Sequence, residues 1–246
     1  RLAAKAIQER NEQLERSNRE LEMFAYVASH DLQEPLRTIN SFAHLLQSHL
    51  AENYKDQQPD EKISKYIKFI TEGSLRAREM IIDVLEYSRL DSNDDSRTNF
   101  SVQEVMEGIL DSFQLNIKEV DAKITYSDLP VVFANRTLIT QLLQNLVHNA
   151  LKFCKAAPIV HVKAEKKADY YQFSVADNGI GVEEEYRQKI FEVFHRLNKR
   201  SEYAGNGIGL AICKKIVEKH GGHIWVEDSE NGGSKFLFTL PQHKDN

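Results

Sequence analysis

The residues best suited to chemistry fall into two groups far apart in the chain. One is His30, within Ser29-His30-Asp31-Leu32-Gln33-Glu34-Pro35-Leu36-Arg37; the other is a downstream set of asparagine, aspartate and glycine motifs. An imidazole beside a carboxylate is a candidate nucleophile, because Asp31 bonded to one ring nitrogen would fix the tautomer and leave the other nitrogen reactive. Downstream, Asn145, Asn149 and Lys152 share one side of a predicted helix whose opposite stripe is Leu138, Leu142, Leu146 and Ala150. Amide oxygens suit a hard cation such as Mg²⁺, which keeps waters while bridging phosphates. Asp177 follows a strand-like run at 171–176 and precedes Gly179 and Gly181, which puts a carboxylate at a strand end beside backbone that a ligand can approach closely. Gly205, Gly207 and Gly209 open a further helix, where exposed N–H groups favour phosphate. Taken singly, each motif has a plainer reading: a solvated helix face, an Asp-Asn-Gly turn, a helix entry. Nine histidines occur in all, and most helical histidines do no chemistry.

Those groups need elements to hold them. From Arg1 to about Leu50 the pattern predicts one helix, with Ile7, Leu14 and Leu21 a heptad apart and Ala4, Asn11, Asn18 and Ala25 in the companion seam, as in a parallel coiled coil. On a helical wheel Leu32, Leu36, Ile39, Ala43, Leu46 and Leu50 share a stripe, and His30 lies about 160° from it, facing solvent. Pro35 frees the carbonyl of Asp31 and predicts a bend one turn beyond His30. The polar stretch 51–60 reads as a turn, and Ile63, Ile67, Ile70, Ala77, Ile81 and Val84 mark a second amphipathic helix to about Leu90. A hairpin with one apolar stripe per helix cannot bury both alone, which predicts a homodimeric four-helix bundle. The predicted domains are a coiled-coil helix at 1–22, a helical dimerisation domain carrying His30 at 23–91, a Ser/Asn/Asp-rich linker at 92–99 and a mixed domain at 100–243.

In the mixed domain, Ser101 and Glu104 have capping-box spacing before a helix to about Lys118. Strands are predicted near 123–127, 131–133, 158–166, 170–176, 222–228 and 235–240, with helices over about 135–153, 183–191 and 208–220. The fold class is an α-helical hairpin followed by an α+β two-layer sandwich.

Composition narrows the classes. With 246 residues, 41% hydrophobic and a net charge of −5 with interspersed signs, the chain is globular and has no basic face of the kind nucleic acid needs. Cys154 and Cys213 lie in apolar helical patterns without metal-ligand spacing, which reads as reduced packing thiols and a cytoplasmic setting. The start at Arg1 in mid-helix reads as a fragment of a longer protein.

Five motifs in order, the His30 box, Asn145-Leu-Val-His-Asn149-Ala-Leu-Lys152-Phe153, Asp177-Asn-Gly179-Ile-Gly181, Phe191-Glu-Val-Phe194-His-Arg196 and Gly205-Asn-Gly207-Ile-Gly209-Leu210, resemble the sensor histidine kinases of two-component signalling. The resemblance covers nearly the whole chain. It implies a gyrase/chaperone/histidine-kinase type of ATP-binding fold, ATP and Mg²⁺, autophosphorylation of His30 assisted by Asp31 as general base, and transfer to an aspartate on a response regulator receiver domain. It also implies a sensor domain upstream. By the same resemblance Asn149 is the principal Mg²⁺ ligand with Asn145 in support, Lys152 contacts phosphate, and Phe153 borders the adenine. Asp177 accepts the adenine N6 hydrogen bond, with Gly179 and Gly181 beside it. Gly205, Gly207, Gly209 and Leu210 form the phosphate loop, residues 197–204 form a lid, and Arg196 stabilises charge on the transferring group. Glu34 departs from the Thr or Asn of many relatives, and a carboxylate can accept from water but cannot donate to it, which weighs against phosphatase activity. Two other classes compete: a degenerate nucleotide-binding scaffold and an ATPase of the gyrase or chaperone type.

Overall fold

The computed structural model describes residues 33, 36–48, 50, 61–90, 96–154, 156–197, 206–230 and 232–242. His30, Asp31, Glu34, Pro35, Gly205, the coiled-coil segment, the 51–60 turn and most of the lid lie outside the described residues. The chain divides into two compact units, 1–92 and 93–246.

The first unit is a helical hairpin. Its described part comprises α1, helical over 36–48, and α2, Glu61–Arg89. The two helices are tied by Ser74, whose buried hydroxyl donates to the Leu36 carbonyl at 2.6 Å. Next along the hairpin, Ala43 and Ile67 are buried, and Glu72 pairs with Lys68 and Arg76 at i,i+4 spacing on the surface.

The second unit is a two-layer sandwich. Strand β1 (Thr98–Ser101) pairs antiparallel with β3 (Val131–Ala134). Five strands form the main sheet in the order β2-β4-β5-β7-β6: β2 (Lys123–Ser127), β4 (Ile159–Lys166), β5 (Tyr170–Ala176), β6 (Ile224–Asp228) and β7 (Ser234–Pro241). Only the β2–β4 pair is parallel, and its crossover carries β3 and helix α5 (Arg136–Lys152). Period-2 alternation sends Val160, Val162, Phe173, Val175, Phe236 and Phe238 into the core, where α5 and α6 (Gly209–Lys219) cover the sheet. Phe173 and Phe238 are register partners and stack with ring centroids 4.8 Å apart.

The described elements follow the sequence pattern closely where a cap and a buried stripe coincide. Helix α5 begins at Asn135, whose side chain accepts from the Leu138 N–H, and buries Ile139, Leu142, Leu143, Leu146, Val147 and Ala150. Ser101 caps α3 (Val102–Ser112) by accepting from the Glu104 N–H. Four details differ. The helix expected to reach Lys118 stops at Ser112, because the Ser112 hydroxyl and the Phe113 N–H both take the Ile109 carbonyl; a separate α4 (Gln114–Glu119) follows and buries no residue. The helix expected at 183–191 is two single 3₁₀ turns, Glu184–Tyr186 and Lys189–Phe191, since neither has a side-chain cap and only Ile190 and Phe191 are buried. Residues 98 and 99, read as linker, belong to β1, where Phe100 supplies the buried anchor. Cys154 lies beyond the α5 cap at Phe153 rather than inside the helix.

Candidate functional site

Helices α5 and α6 lie side by side, and the middle of α5 meets the first turn of α6, which brings the Asn145 motif to Gly209. The half-buried Asn145 amide donates to the Gly209 carbonyl at 3.5 Å, joining α5 to the first turn of α6. Before that turn Gly207 adopts φ +75°, and its carbonyl accepts from the Phe194 N–H at 3.0 Å. A Cβ at Gly207 would come within 2.9 Å of Arg196 Cγ and 3.0 Å of the His195 carbonyl, so only glycine lets the 194–196 segment lie against this loop. Ile208 is fully buried, filling the core directly under the loop, while Leu210 is half-buried.

Asp177 sits where β5 ends and is buried. Its Oδ1 accepts from the Gly179 N–H at 2.8 Å and the Ser234 N–H at 3.0 Å, and its own N–H donates to the Ser234 carbonyl at 2.8 Å. Burial pushes the carboxyl above the usual carboxylate range, and the two backbone N–H groups pull the other way. Gly179 and Gly233 are required here: a Cβ on Gly179 would strike the Phe153 carbonyl, and one on Gly233 would strike Asp177 and the Gly179 nitrogen. The loop is fastened to the end of α5 by the Ile180 N–H on the Phe153 carbonyl at 3.0 Å, and Gly181 turns it with φ +72°. Asn178 braces the same loop, accepting from the Ile159 N–H at 2.8 Å and from the Cys154 thiol at 3.3 Å while donating to the Ala157 carbonyl at 3.1 Å.

Lys152 and Phe153 connect the two ends. The Lys152 ammonium stands 4.4 Å from the centroid of the Phe153 ring. Burial, with the Arg196 guanidinium nearby, lowers the Lys152 ammonium below its ordinary value, and His148 is lowered by burial and by Lys152. Two cations held close in a half-buried site favour an anion with several oxygens. Asn149, half-buried, lies one helical turn from Asn145, and its backbone carbonyl accepts from the Phe153 N–H. The described residues thus join Asn145, Gly207, Gly209 and Arg196 at one end and Lys152, Phe153, Gly179 and Asp177 at the other. Gly233 and Ser234 also belong with Asp177; on sequence alone Gly232-Gly233-Ser234 is a turn signal, and only the β5–β7 pairing shows its neighbour.

Two family models match the chain. The phospho-acceptor His Kinase A domain covers residues 20–93, and the ATPase domain shared by histidine kinases, DNA gyrase B and HSP90 covers 134–244. The catalytic domain of histidine kinase ThkA superposes with a TM-score of 0.53 at 31% identity, covering 60% of this chain and 98% of that one. This chain belongs to the histidine kinases. The solved complex of histidine kinase ThkA with the response regulator TrrA matches this histidine kinase chain with a TM-score of 0.64 at 30% identity, covering 93% of this chain and 65% of that one. It is 44% identical over 229 residues to cyanobacterial phytochrome A of Nostoc sp., covering 93% of this histidine kinase chain and 29% of the relative. The chain spans about three-tenths of the length of the first curated relatives it matches. No helix among the described residues is long and apolar enough to cross a membrane.

Proposed function

We propose that this chain is the ATP-dependent kinase core of a two-component sensor, which phosphorylates His30 and passes the phosphoryl group to an aspartate of a response regulator. What carries the reading is the half-buried Lys152 at the C-terminal end of α5 beside the Arg196 guanidinium, in a chain whose upstream part matches the phospho-acceptor model. Burial, with the Arg196 guanidinium nearby, lowers the Lys152 ammonium, and the oxygens of a triphosphate would suit both cations. Asn145 and Asn149 offer amide oxygens, and among the described residues no group of three His, Cys, Asp or Glu could hold a metal by itself. That donor set fits Mg²⁺ that arrives with a triphosphate and retains waters, with Asn149 as the main protein ligand; bound there, the ion would spread charge between phosphate oxygens.

The roles in this reading are those that the resemblance to sensor histidine kinases implies. Asp177 accepts from the exocyclic amine of adenine, Phe153 borders the ring, and Gly179 and Gly181 let backbone come close. Lys152 and the loop of Gly205, Gly207, Gly209 and Leu210 hold phosphate. A His30 ring nitrogen attacks the γ-phosphorus while the bond to the ADP oxygen breaks, ADP leaving with the electron pair. Asp31 takes the proton from the other ring nitrogen, and Arg196 stabilises charge on the equatorial oxygens. The exposed apolar faces of α1 and α2 support a homodimer, and the phytochrome relatives support a sensor domain upstream.

The test is incubation with Mg²⁺ and γ-labelled ATP, following acid-labile, alkali-stable label on wild type, His30→Ala and Asn149→Ala. Label on wild type and none on either variant is expected. Nucleotide binding by wild type without label would replace the kinase with a scaffold, and steady hydrolysis without label would indicate a gyrase-type ATPase.

A further inference from the structure

Hydrogen bonds tie together the two helices of the candidate site, and three of them run from its front to its rear. At the front, the Asn145 amide meets the Gly209 carbonyl. In the middle, the fully buried Cys213 thiol donates to the Leu142 carbonyl at 3.8 Å. At the rear, His220 Nε2 accepts from the Asn135 N–H at 3.1 Å. Residue numbers fall along α5 as they rise along α6, so the helices are antiparallel and the rear bond lies roughly 15 Å from the front one, taking 1.5 Å of rise per residue.

The rear bond is the best made of the three. His220 is 5% exposed, and its Nδ1 donates to the Ile216 carbonyl at 2.8 Å, which fixes the neutral tautomer with Nε2 as the acceptor. The N–H it accepts belongs to the residue that caps α5. The same joint collects the chain as it enters this unit. The Asn135 amide donates to the Ser96 hydroxyl at 3.3 Å, and the Arg97 guanidinium donates to the Lys219 carbonyl at 3.1 Å, at the open C-terminal end of α6. By comparison the front bond, at 3.5 Å, is long.

We propose that His220 is a positioning residue of the nucleotide site: it sets the register of α6 against α5 from the rear, and so places the Gly209 loop opposite Asn145. The front bond is long and the middle one has a weak thiol donor, so the rear bond is the strongest of these polar contacts and adds to the packed seam in holding the register. Loss of the rear acceptor would leave a buried N–H unpaired, and the helices would relieve it by shifting along each other. The inference rests on the nucleotide-site reading above, but its mechanical part does not require a ligand.

Two measurements separate these. The first is the affinity for Mg²⁺ and a non-hydrolysable ATP analogue, by calorimetry, in wild type, His220→Phe, His220→Gln and Val105→Ala, the last a core truncation on α3 that serves as a control for lost stability. His220→Phe is expected to bind about tenfold more weakly, since about 1.4 kcal/mol corresponds to that factor. His220→Gln, which keeps an acceptor, is expected within about threefold of wild type, and Val105→Ala unchanged. The second measurement is the rate at which Cys213, the sole remaining thiol in a Cys154→Ser background, reacts with a thiol reagent under native conditions. It is expected to rise at least about tenfold in His220→Phe and not in the control at equal loss of melting temperature. A His220→Phe protein that matches the control in both readouts overturns the proposal. Faster Cys213 reaction in a chain whose wild type binds no nucleotide would uphold the register joint and overturn the nucleotide reading instead.

Discussion

The two units handle apolar surface in opposite ways. In the α+β unit, Met106, Leu142, Leu146, Phe173, Ile216 and Phe238 are all but inaccessible, and both layers close on one core. In the helical unit only Ala43, Ile67 and Leu90 among the described apolar residues are buried, while Phe42 is 67% and Phe69 55% exposed. Ile39, Leu46 and Ile70, members of the predicted stripes, are also exposed. A sheet covered by helices can seal itself within one chain; two helices have one mutual seam and leave the rest of each stripe uncovered. The contrast explains why a partner is proposed for the hairpin and none is needed by the nucleotide fold. The exposed apolar residues of α1 and α2 are what the proposed homodimer would cover.

The comparison can be tested from its strongest side downward. Phe173→Ala removes a fully buried ring from the Phe238 stack and is expected to destabilise the α+β unit by about 3–5 kcal/mol, read as a drop in its thermal or denaturant midpoint, with little effect on association of the hairpin. Phe42→Asp should do the reverse. With the change present on both copies, dimer dissociation in sedimentation equilibrium is expected to strengthen by at least about a hundredfold, roughly 3 kcal/mol, while the melting of the α+β unit stays in place. An unchanged association constant would remove this face from the interface.

Smaller effects sharpen the site itself. The raised carboxyl of Asp177 means that the folded state holds this proton more tightly than the unfolded chain. The associated stability is present below the ordinary carboxylate range and is lost as pH rises through the raised value. Asp177→Asn keeps an oxygen for the Gly179 and Ser234 N–H groups, so it is expected to equal wild type at low pH and to be the more stable protein at neutral pH in paired melting curves. Its nucleotide affinity should nonetheless fall about tenfold, about 1.4 kcal/mol, because an amide nitrogen cannot accept from adenine. A variant that lost stability at neutral pH would contradict the burial argument. Least of all, Ser101→Ala should cost about 0.5 kcal/mol, the low end for a cap, because the bond to Glu104 N–H is 3.4 Å long.

Much of this was legible in the residues. Asn135 to Phe153 could be read almost to the residue, because a cap, a buried stripe and a polar face agree over seventeen helical residues. Residues 183–191 could not, since Val182, Tyr186 and Ile190 imitate a helical period while burial falls on the adjacent pair Ile190 and Phe191. Among the site residues, the asparagines, Lys152, Asp177 and the glycines announced themselves by type and spacing. Asn178 did not, because its three contacts are to backbone and a thiol brought close by folding. Gly233 was visible as a turn and not as the wall behind Asp177.

The sequence by itself determined which groups are available: an imidazole beside a carboxylate, amides and a lysine on one helix face, a carboxylate at a strand end and glycines at a helix entry. It also determined the local elements, because caps and hydrophobic period act over a few residues. Tertiary structure decided which groups meet. Pairing of β5 with β7 brought Ser234 onto Asp177, and antiparallel packing of α5 and α6 brought Asn145 to Gly209 and turned His220, one of nine histidines and the residue that ends α6, into the acceptor for the N–H that starts α5. The reason is physical. Local spacing is written in the chain at distances of three or four residues, whereas a contact between residues 135 and 220 exists only after the sheet and its two helices have closed over one core.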